Sequence, residues 1–272
     1  MITIRRFDAA DGLVLSATDY GGAGQTPILF VHGGSAHARW WDFVAPAFCD
    51  RFHVLALDQR GHGESPWTAE WTYGTRQYVA DLSAVIEGWG LGAPILVGHS
   101  MGGHTVMAYA SEQSASLRAM VVIDSPASYP PEAVAALRAI GERPSRPFAS
   151  LDEAVAKFRT NPRQNNARPG TLEYVARLSF RQDAAGGWIH KMDRRTLIRE
   201  PVSVWKGLAR IQCPSLYIRA GSSVLPEEVT GKIVAAIPDC RQATVPDSFH
   251  HVMIDNPAAL IAILNEFLGE LQ

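Results

Sequence analysis

At 272 residues, with 47% hydrophobic and 19% charged content, the chain is long enough to bury a full core and has a globular balance, neither disordered nor membrane-like. A formal charge of −2 leaves no footprint for a polyanion, so nucleic acid is not an expected partner. Cys49, Cys213 and Cys240 stand far apart with no C-x-x-C spacing, which fits small buried hydrophobes in a reducing compartment rather than a disulfide framework or a metal site.

The first residues, Met1 to Phe7, lack an apolar core and a small-residue cleavage site, so no export signal is expected. No run approaches the length of an apolar membrane span, and a cytoplasmic protein away from membranes is the default expectation. Ile2 to Phe7 and Leu13 to Thr18 alternate around Asp11-Gly12, which predicts a hairpin with a type I′ turn. Pro27 to Val31 and His53 to Leu57 are continuous apolar runs, as in strands buried on both faces, and Trp40 to Phe48 between them suits a helix. Tyr78, Val79, Leu82, Val85 and Ile86 fall at helical spacing within Tyr73 to Gly88. A strand at Pro94 to Val97, a helix from Thr105 and a strand at Ala119 to Ile123 follow.

After Asp124 the alternation of strand and helix pauses. Seven prolines from Pro126 to Pro169 punctuate short helical pieces at Glu132 to Ile140, Leu151 to Phe158 and Thr171 to Phe180. Gly186-Gly187-Trp188 and a piece at Pro201 to Leu208 close this region, and arginines gather in it between Arg138 and Arg199. Residues 126–210 are therefore a candidate helical cap inserted into a core made of 1–125 and 211–272; the plainer alternative is a helical decoration with a solvated basic face. Alternation resumes with Ser215 to Arg219, a helix at Glu227 to Ala236, a strand at Gln242 to Val245 and a last helix from Pro257 to Leu271, capped by Asn256 with proline at its first position.

The chemistry concentrates at Val97-Gly98-His99-Ser100-Met101-Gly102-Gly103. A G-x-S-x-G by itself recurs by chance. Between a buried strand and a helix it reads as a nucleophile elbow, a turn tight enough to need glycine beside a strained serine. Serine needs a base to take its proton. Of nine histidines, His250 and His251 are set apart by position, because the loop after the last strand delivers them to the sheet edge where the elbow also ends. His53, His62, His99, His104 and His190 have ordinary structural readings.

These residues resemble the α/β-hydrolase superfamily. His32-Gly33-Gly34-Ser35 stands where that family builds half of its oxyanion hole, and Asp58-Gln59-Arg60-Gly61-His62-Gly63-Glu64-Ser65 is similar to its next loop. Phe249-His250-His251-Val252-Met253-Ile254-Asp255-Asn256-Pro257 resembles its terminal histidine segment, with Phe249 where glycine is usual. The resemblance covers essentially the whole chain. It implies an α/β-hydrolase fold with a mostly parallel eight-stranded sheet, an inserted helical cap, no cofactor and no metal. It also implies His250 as the base, with His251 as a structural or pocket neighbour.

The acid departs from the common pattern. After Ser215 to Arg219 the chain reads Ala220-Gly221-Ser222-Ser223, with no carboxylate where the family most often has one. Some members carry the acid after the strand that follows the nucleophile helix, which maps to Asp124. Asp124 could instead start a turn ahead of Ser125-Pro126, and Asp247 is the reserve acid. Asp58 and Asp81 have plain readings, in a glycine-rich loop and on a helix.

The expected chemistry is acyl transfer to Ser100, with His250 as base, Asp124 orienting it, and the N–H groups of Met101 and of Gly34 (or Ser35) receiving the oxyanion. The expected substrate is a small, largely apolar ester or lactone, with Trp40, Trp41, Trp67, Trp71, Trp188 and Trp205 as candidate pocket walls. Hydrolysis of a C–C bond in a diketone-like compound, and a receptor with poor turnover, are the alternatives on the same scaffold. Oligomeric state is not readable from the sequence.

Overall fold

The computed structural model describes residues 2–70, 72–198 and 202–271. Four strands come first: β1 (Thr3–Asp8), β2 (Val14–Gly21), β3 (Thr26–Val31) and β4 (Phe52–Asp58). Then follow α1 (Thr75–Gly88), β5 (Ile95–His99), α2 (Met101–Gln113) and β6 (Ala119–Ile123). The long insertion holds α3 (Pro131–Gly141), α4 (Leu151–Lys157), α5 (Thr171–Leu178), β7 (Phe180–Gln182), β8 (Trp188–His190) and α6 (Trp205–Leu208). The chain closes with β9 (Ser215–Ala220), α7 (Glu227–Ala236), β10 (Cys240–Val245), α8 (Val252–Asp255) and α9 (Pro257–Gly269).

Eight strands make one sheet in the order β1-β2-β4-β3-β5-β6-β9-β10. The β1–β2 and β2–β4 pairs are antiparallel and the remaining pairs parallel, so this is the mostly parallel sheet of an α/β-hydrolase fold. The continuous apolar strands are explained by what covers them. Ile28 and Phe30 of β3 enter one core cluster and Leu29 and Val31 the other; Val97 and Leu96 of β5 divide the same way. The first cluster takes Trp41, Phe48 and the inner face of α9, and the second takes the inner faces of α1 and α2. A central strand buried on both faces cannot alternate polar and apolar residues, which is why no period-2 signal appears in these segments. Both faces of the sheet are core.

Several local expectations need correction. Gly12 turns left-handed at φ 81° but Asp11 does not; the Gly12 N–H donates to the Ala9 carbonyl, so the β1–β2 loop is a three-residue turn rather than a type I′ pair. Trp40 to Phe48 forms two short 3₁₀ segments, Ala38–Phe43 and Ala45–Phe48, because Val44 leaves helical geometry at φ −127° just ahead of Pro46. The helix from Thr171 stops at Leu178, and Phe180 instead begins a hairpin with β8 across the Gly186-Gly187 turn. The last predicted piece of the insertion is helical only at Trp205–Leu208, and its first residue, Pro201, lies outside the described residues. Asn256 caps α9 as expected, its side chain accepting the Ala259 N–H at 3.2 Å. Asp81 is more than a surface residue of α1: its carboxylate grips the buried Arg60 guanidinium with contacts of 2.6 and 2.5 Å.

The insertion is tied to the loops that follow the C-terminal ends of β3, β4 and β10. His37 donates to the Ser179 hydroxyl at 3.0 Å, and Asp193 takes the Gly61 carbonyl through its N–H and the Tyr73 hydroxyl through its carboxylate. The Asn166 N–H donates to Asp255 at 2.8 Å. Among the described residues no helix is long and apolar enough to cross a membrane.

Candidate active site

Ser100 sits between β5 and α2 with φ 50° and ψ −117°, a region that L-residues rarely adopt. Close packing holds it there. A Cβ on Gly98 would lie 2.5 Å from the Gly102 carbonyl oxygen, and one on Gly102 would lie 2.3 Å from that of Val31. The Ser100 N–H donates to Ile123, and its carbonyl accepts from Ser125 Oγ at 2.6 Å and from the His104 N–H. The backbone of the turn is fixed while the side chain stays partly exposed.

The Ser100 Oγ lies 2.9 Å from His250 Nε2, and His250 Nδ1 lies 2.7 Å from Asp124 Oδ2. These three residues come from the ends of β5, β6 and β10, so their meeting is a property of the parallel sheet and not of sequence proximity. Asp124 is fully buried at φ 45°. Its Oδ1 accepts from the Ala220 N–H at 3.2 Å and from the Ser223 hydroxyl at 2.5 Å. Burial pushes this carboxyl up, but the His250 hydrogen bond and charge, with help from Ser223 and Ala220, outweigh it and hold the group below the ordinary aspartate value. Asp247, the reserve acid, is exposed, and its backbone carbonyl accepts from the Asn166 side chain at 2.9 Å. The structure brings Asp124 to His250, and not Asp247.

Three supporting residues had no such reading from sequence. His99 Nε2–H donates to the His250 carbonyl at 2.8 Å and so braces the backbone of the candidate base. Ser223 stands at the position without a carboxylate and donates to Asp124, the candidate acid; a hydroxyl there was the one available hint. The Tyr217 hydroxyl bonds both the N–H and the carbonyl of Ser125, anchoring the turn beside Asp124. His251 is buried against Trp40, His99 and His250. Burial, with the charge of His250 second, pushes its imidazole down to about 3, and burial likewise holds His99 well below the ordinary value. Both imidazoles beside His250 therefore stay neutral. Ring nitrogens of His99, His250 and His251 lie within 4.8 Å of one another, the one such trio among the described residues that could grip a metal. His250 has both of its own nitrogens engaged by Ser100 and Asp124, so this donor set is already used within the protein.

The loop after β3 faces the elbow. His32 Nδ1–H donates to Gly33, and its Nε2 accepts the Gln59 N–H at 3.1 Å, while Gln59 Nε2 donates back to the His32 carbonyl. A Cβ on Gly34 would come 4.0 Å from the Met101 sulfur, so Gly34 and Met101 flank the same space, and Ser35 follows with φ 65°. Ser35 also lines a cavity of about 810 Å³ that runs into the insertion, past Trp67, Phe148, Phe158 and Phe180. A smaller cavity of about 200 Å³ reaches His250 beside Ser223 and Phe249. Of the tryptophans, Trp67 lines the large cavity, Trp40 and Trp41 are buried core, Trp188 and Trp205 are half-buried in the insertion, and Trp71 lies outside the described residues.

Comparison with known proteins fits this geometry. An esterase of Mycobacterium tuberculosis is 25% identical over 93% of this chain and 86% of its own. An N-formylmaleamate deformylase of Pseudomonas putida is 26% identical over 96% of this chain and 94% of its own. The crystal structure of an E-2-(acetamidomethylene)succinate hydrolase superposes with a TM-score of 0.86 at 24% identity, covering 99% of this chain and all of that one. The model of the alpha/beta hydrolase family matches residues 28–263, from the first parallel strand to the last helix. The chain belongs to the alpha/beta hydrolase family.

Proposed function

We propose that the protein is a serine hydrolase that cleaves a carboxylic ester or lactone through an acyl-enzyme on Ser100. The observation that carries this is the unbroken hydrogen-bonded line from Ser100 through His250 to Asp124, with the serine held in a strained elbow. His250 Nε2 takes the hydroxyl proton as Ser100 Oγ attacks the carbonyl carbon, then gives it to the departing alkoxide oxygen. Asp124 accepts from Nδ1–H, which fixes the tautomer and stabilises the imidazolium. Neutral His99 and His251 add no positive charge against that imidazolium. Met101 and Gly34 are the candidate oxyanion donors, each donor in such a hole contributing roughly 3 kcal/mol to the transition state. Water, activated by the same base, then releases the acid and restores Ser100. Residues 126–210 act in this reading as a cap over the acyl side of the site.

The N-formylmaleamate deformylase relative makes cleavage of an acyl–nitrogen bond the second reading, and it needs the same three residues. The test is direct. Wild type should turn over p-nitrophenyl esters and take up a fluorophosphonate at Ser100 alone. Ser100→Ala should keep the unfolding midpoint and lose about 10⁶-fold in turnover. A labelled Ser100 without turnover on ester, lactone or amide panels would make the protein a binding module instead.

A further inference from the structure

The charge of this chain is divided very unevenly. Residues 126–210 hold 15 Lys and Arg against 8 Asp and Glu, a balance of +7, while the rest of the chain carries −9. The excess converges on one concavity. Arg143, Arg146, Lys157, Arg159, Arg163 and Arg194 all line the cavity that Ser35 also lines. Among the described residues the one carboxylate in its wall is Asp193, which is paired with Arg195 and accepts from the Tyr73 hydroxyl. Lys157 is paired with Glu153 at 2.6 Å. Among the described residues, none of the five arginines pairs with a carboxylate; Arg159 and Arg194 donate to backbone carbonyls.

A solvated basic surface would be convex and laced with acids. Here the arginines share the wall of one cavity with Phe148, Phe158 and Phe180, apolar surface of low polarisability that strengthens the field of nearby charges. The segment from Thr160 to Arg163 links this cleft to the base, because Asn161 and Arg163 line the cleft while Pro162 lines the small cavity at His250. Guanidinium forks match the two oxygens of a carboxylate, or those of a phosphate, better than any neutral group.

We infer that the cleft seats an oxyanion carried by the substrate, a carboxylate or a phosphate set apart from the scissile carbonyl, so that the enzyme acts on anionic acyl compounds. This rests on the hydrolase reading above, and it replaces the largely apolar substrate expected from sequence with one that has an apolar body and an anionic end.

The experiment compares p-nitrophenyl hexanoate with mono-p-nitrophenyl adipate, which adds a carboxylate at similar length, and with the ester ending in a phosphonate. At least one anionic ester should have a kcat/KM about tenfold or more above the neutral one, the scale of electrostatic focusing. Which of the two wins identifies the anion. Raising the salt from about 0.01 M to about 0.3 M, which contracts the screening length from about 30 Å to below 10 Å, should shrink that preference. Arg146→Glu and Arg163→Glu, both at exposed positions, should lower kcat/KM for the anionic ester about tenfold more than for hexanoate. Arg76→Glu on α1, an equal charge change at an exposed site outside the cleft, should leave the ratio alone.

Equal use of neutral and anionic esters, with a ratio that none of these variants moves, overturns the inference. So does binding of phosphatidylglycerol vesicles that the variants abolish without any ester preference, since the basic rim would then face a membrane. If no ester, lactone or amide is turned over at all, the hydrolase reading has failed by itself. Calorimetric titration of Ser100→Ala with adipate and with inorganic phosphate then decides the cleft: binding of either that Arg146→Glu removes supports it, and no binding of either overturns it.

Discussion

Replacing Asp124 with asparagine removes one charge and almost no volume, and the structure dictates how the new amide must sit. Oδ1 of Asp124 accepts from the Ala220 N–H, a backbone donor that cannot reverse its role, as well as from Ser223. The oxygen of the introduced amide must therefore stay on that side, because turning it would set an NH₂ against the Ala220 N–H. The NH₂ then faces His250 Nδ1, which becomes an acceptor, and the ring proton moves to Nε2. An imidazole protonated at Nε2 can donate to Ser100 Oγ but cannot take its proton. A wrong-tautomer substitution of this kind costs about 10⁴-fold in turnover, or ~5.4 kcal/mol of barrier. Steady-state hydrolysis of a p-nitrophenyl ester at pH 7.5, with the urea midpoint checked in parallel, measures it. Asp247→Asn is the matched control and should stay within about twofold, as an exposed substitution without a role in the site. The reasoning is refuted if Asp124→Asn keeps more than a tenth of wild-type turnover, or if Asp247→Asn is the variant that loses it.

Gly102→Ala would place a methyl 2.3 Å from the Val31 oxygen and 2.6 Å from that of His32, backbone atoms where β3 ends and the loop that flanks the elbow begins. It should cost about 3 kcal/mol in denaturant unfolding and shift the oxyanion loop, whereas Gly88→Ala, with open space around its Cβ, should be tolerated to within about 1 kcal/mol; equal effects would remove the packing account of the elbow. Stability should also fall in mild acid. Burial holds His32 and His190 down at about 4 and His251 at about 3, with Arg194 and Lys191 adding to the effect at His190 and His250 at His251. These folded values lie below the unfolded one, so the stabilisation is full above about pH 6.5 and is lost as pH falls toward 4, each group removing up to about 1.4 kcal/mol per pH unit. Urea midpoints at pH 7, 6 and 5 should drop progressively, and a flat series would mean these imidazoles are not buried neutral.

Much of this molecule was readable along the chain because its signals are local. Strands buried on both faces show as apolar runs, Asn256-Pro257 marks the start of α9, and the glycines of the elbow announce a turn that tolerates no Cβ. The failures have local causes too, but ones that need the partner strand or a neighbouring proline to be seen. Phe180 continues the apolar spacing of α5, yet it pairs with His190 across a glycine turn, and a pairing between segments leaves no mark at helical period. Residues His99, Ser223 and Tyr217 act through backbone or side-chain atoms more than 90 positions away in sequence, so no spacing rule could select them.

The sequence by itself determined the candidate nucleophile, its candidate base and the fold, since each is written in short segments whose backbone geometry their own residues enforce. Only the tertiary structure separates the two candidate acids by position. Asp124 and Asp247 are both aspartates in turns at positive φ, at the ends of β6 and β10, and only the folded sheet shows that one is buried 2.7 Å from His250 while the other faces solvent. It also decided that five arginines of residues 126–210, without a carboxylate partner among the described residues, line one cavity. A charge in a sequence has a sign but no place, and the fold is what gathers these charges into one cavity.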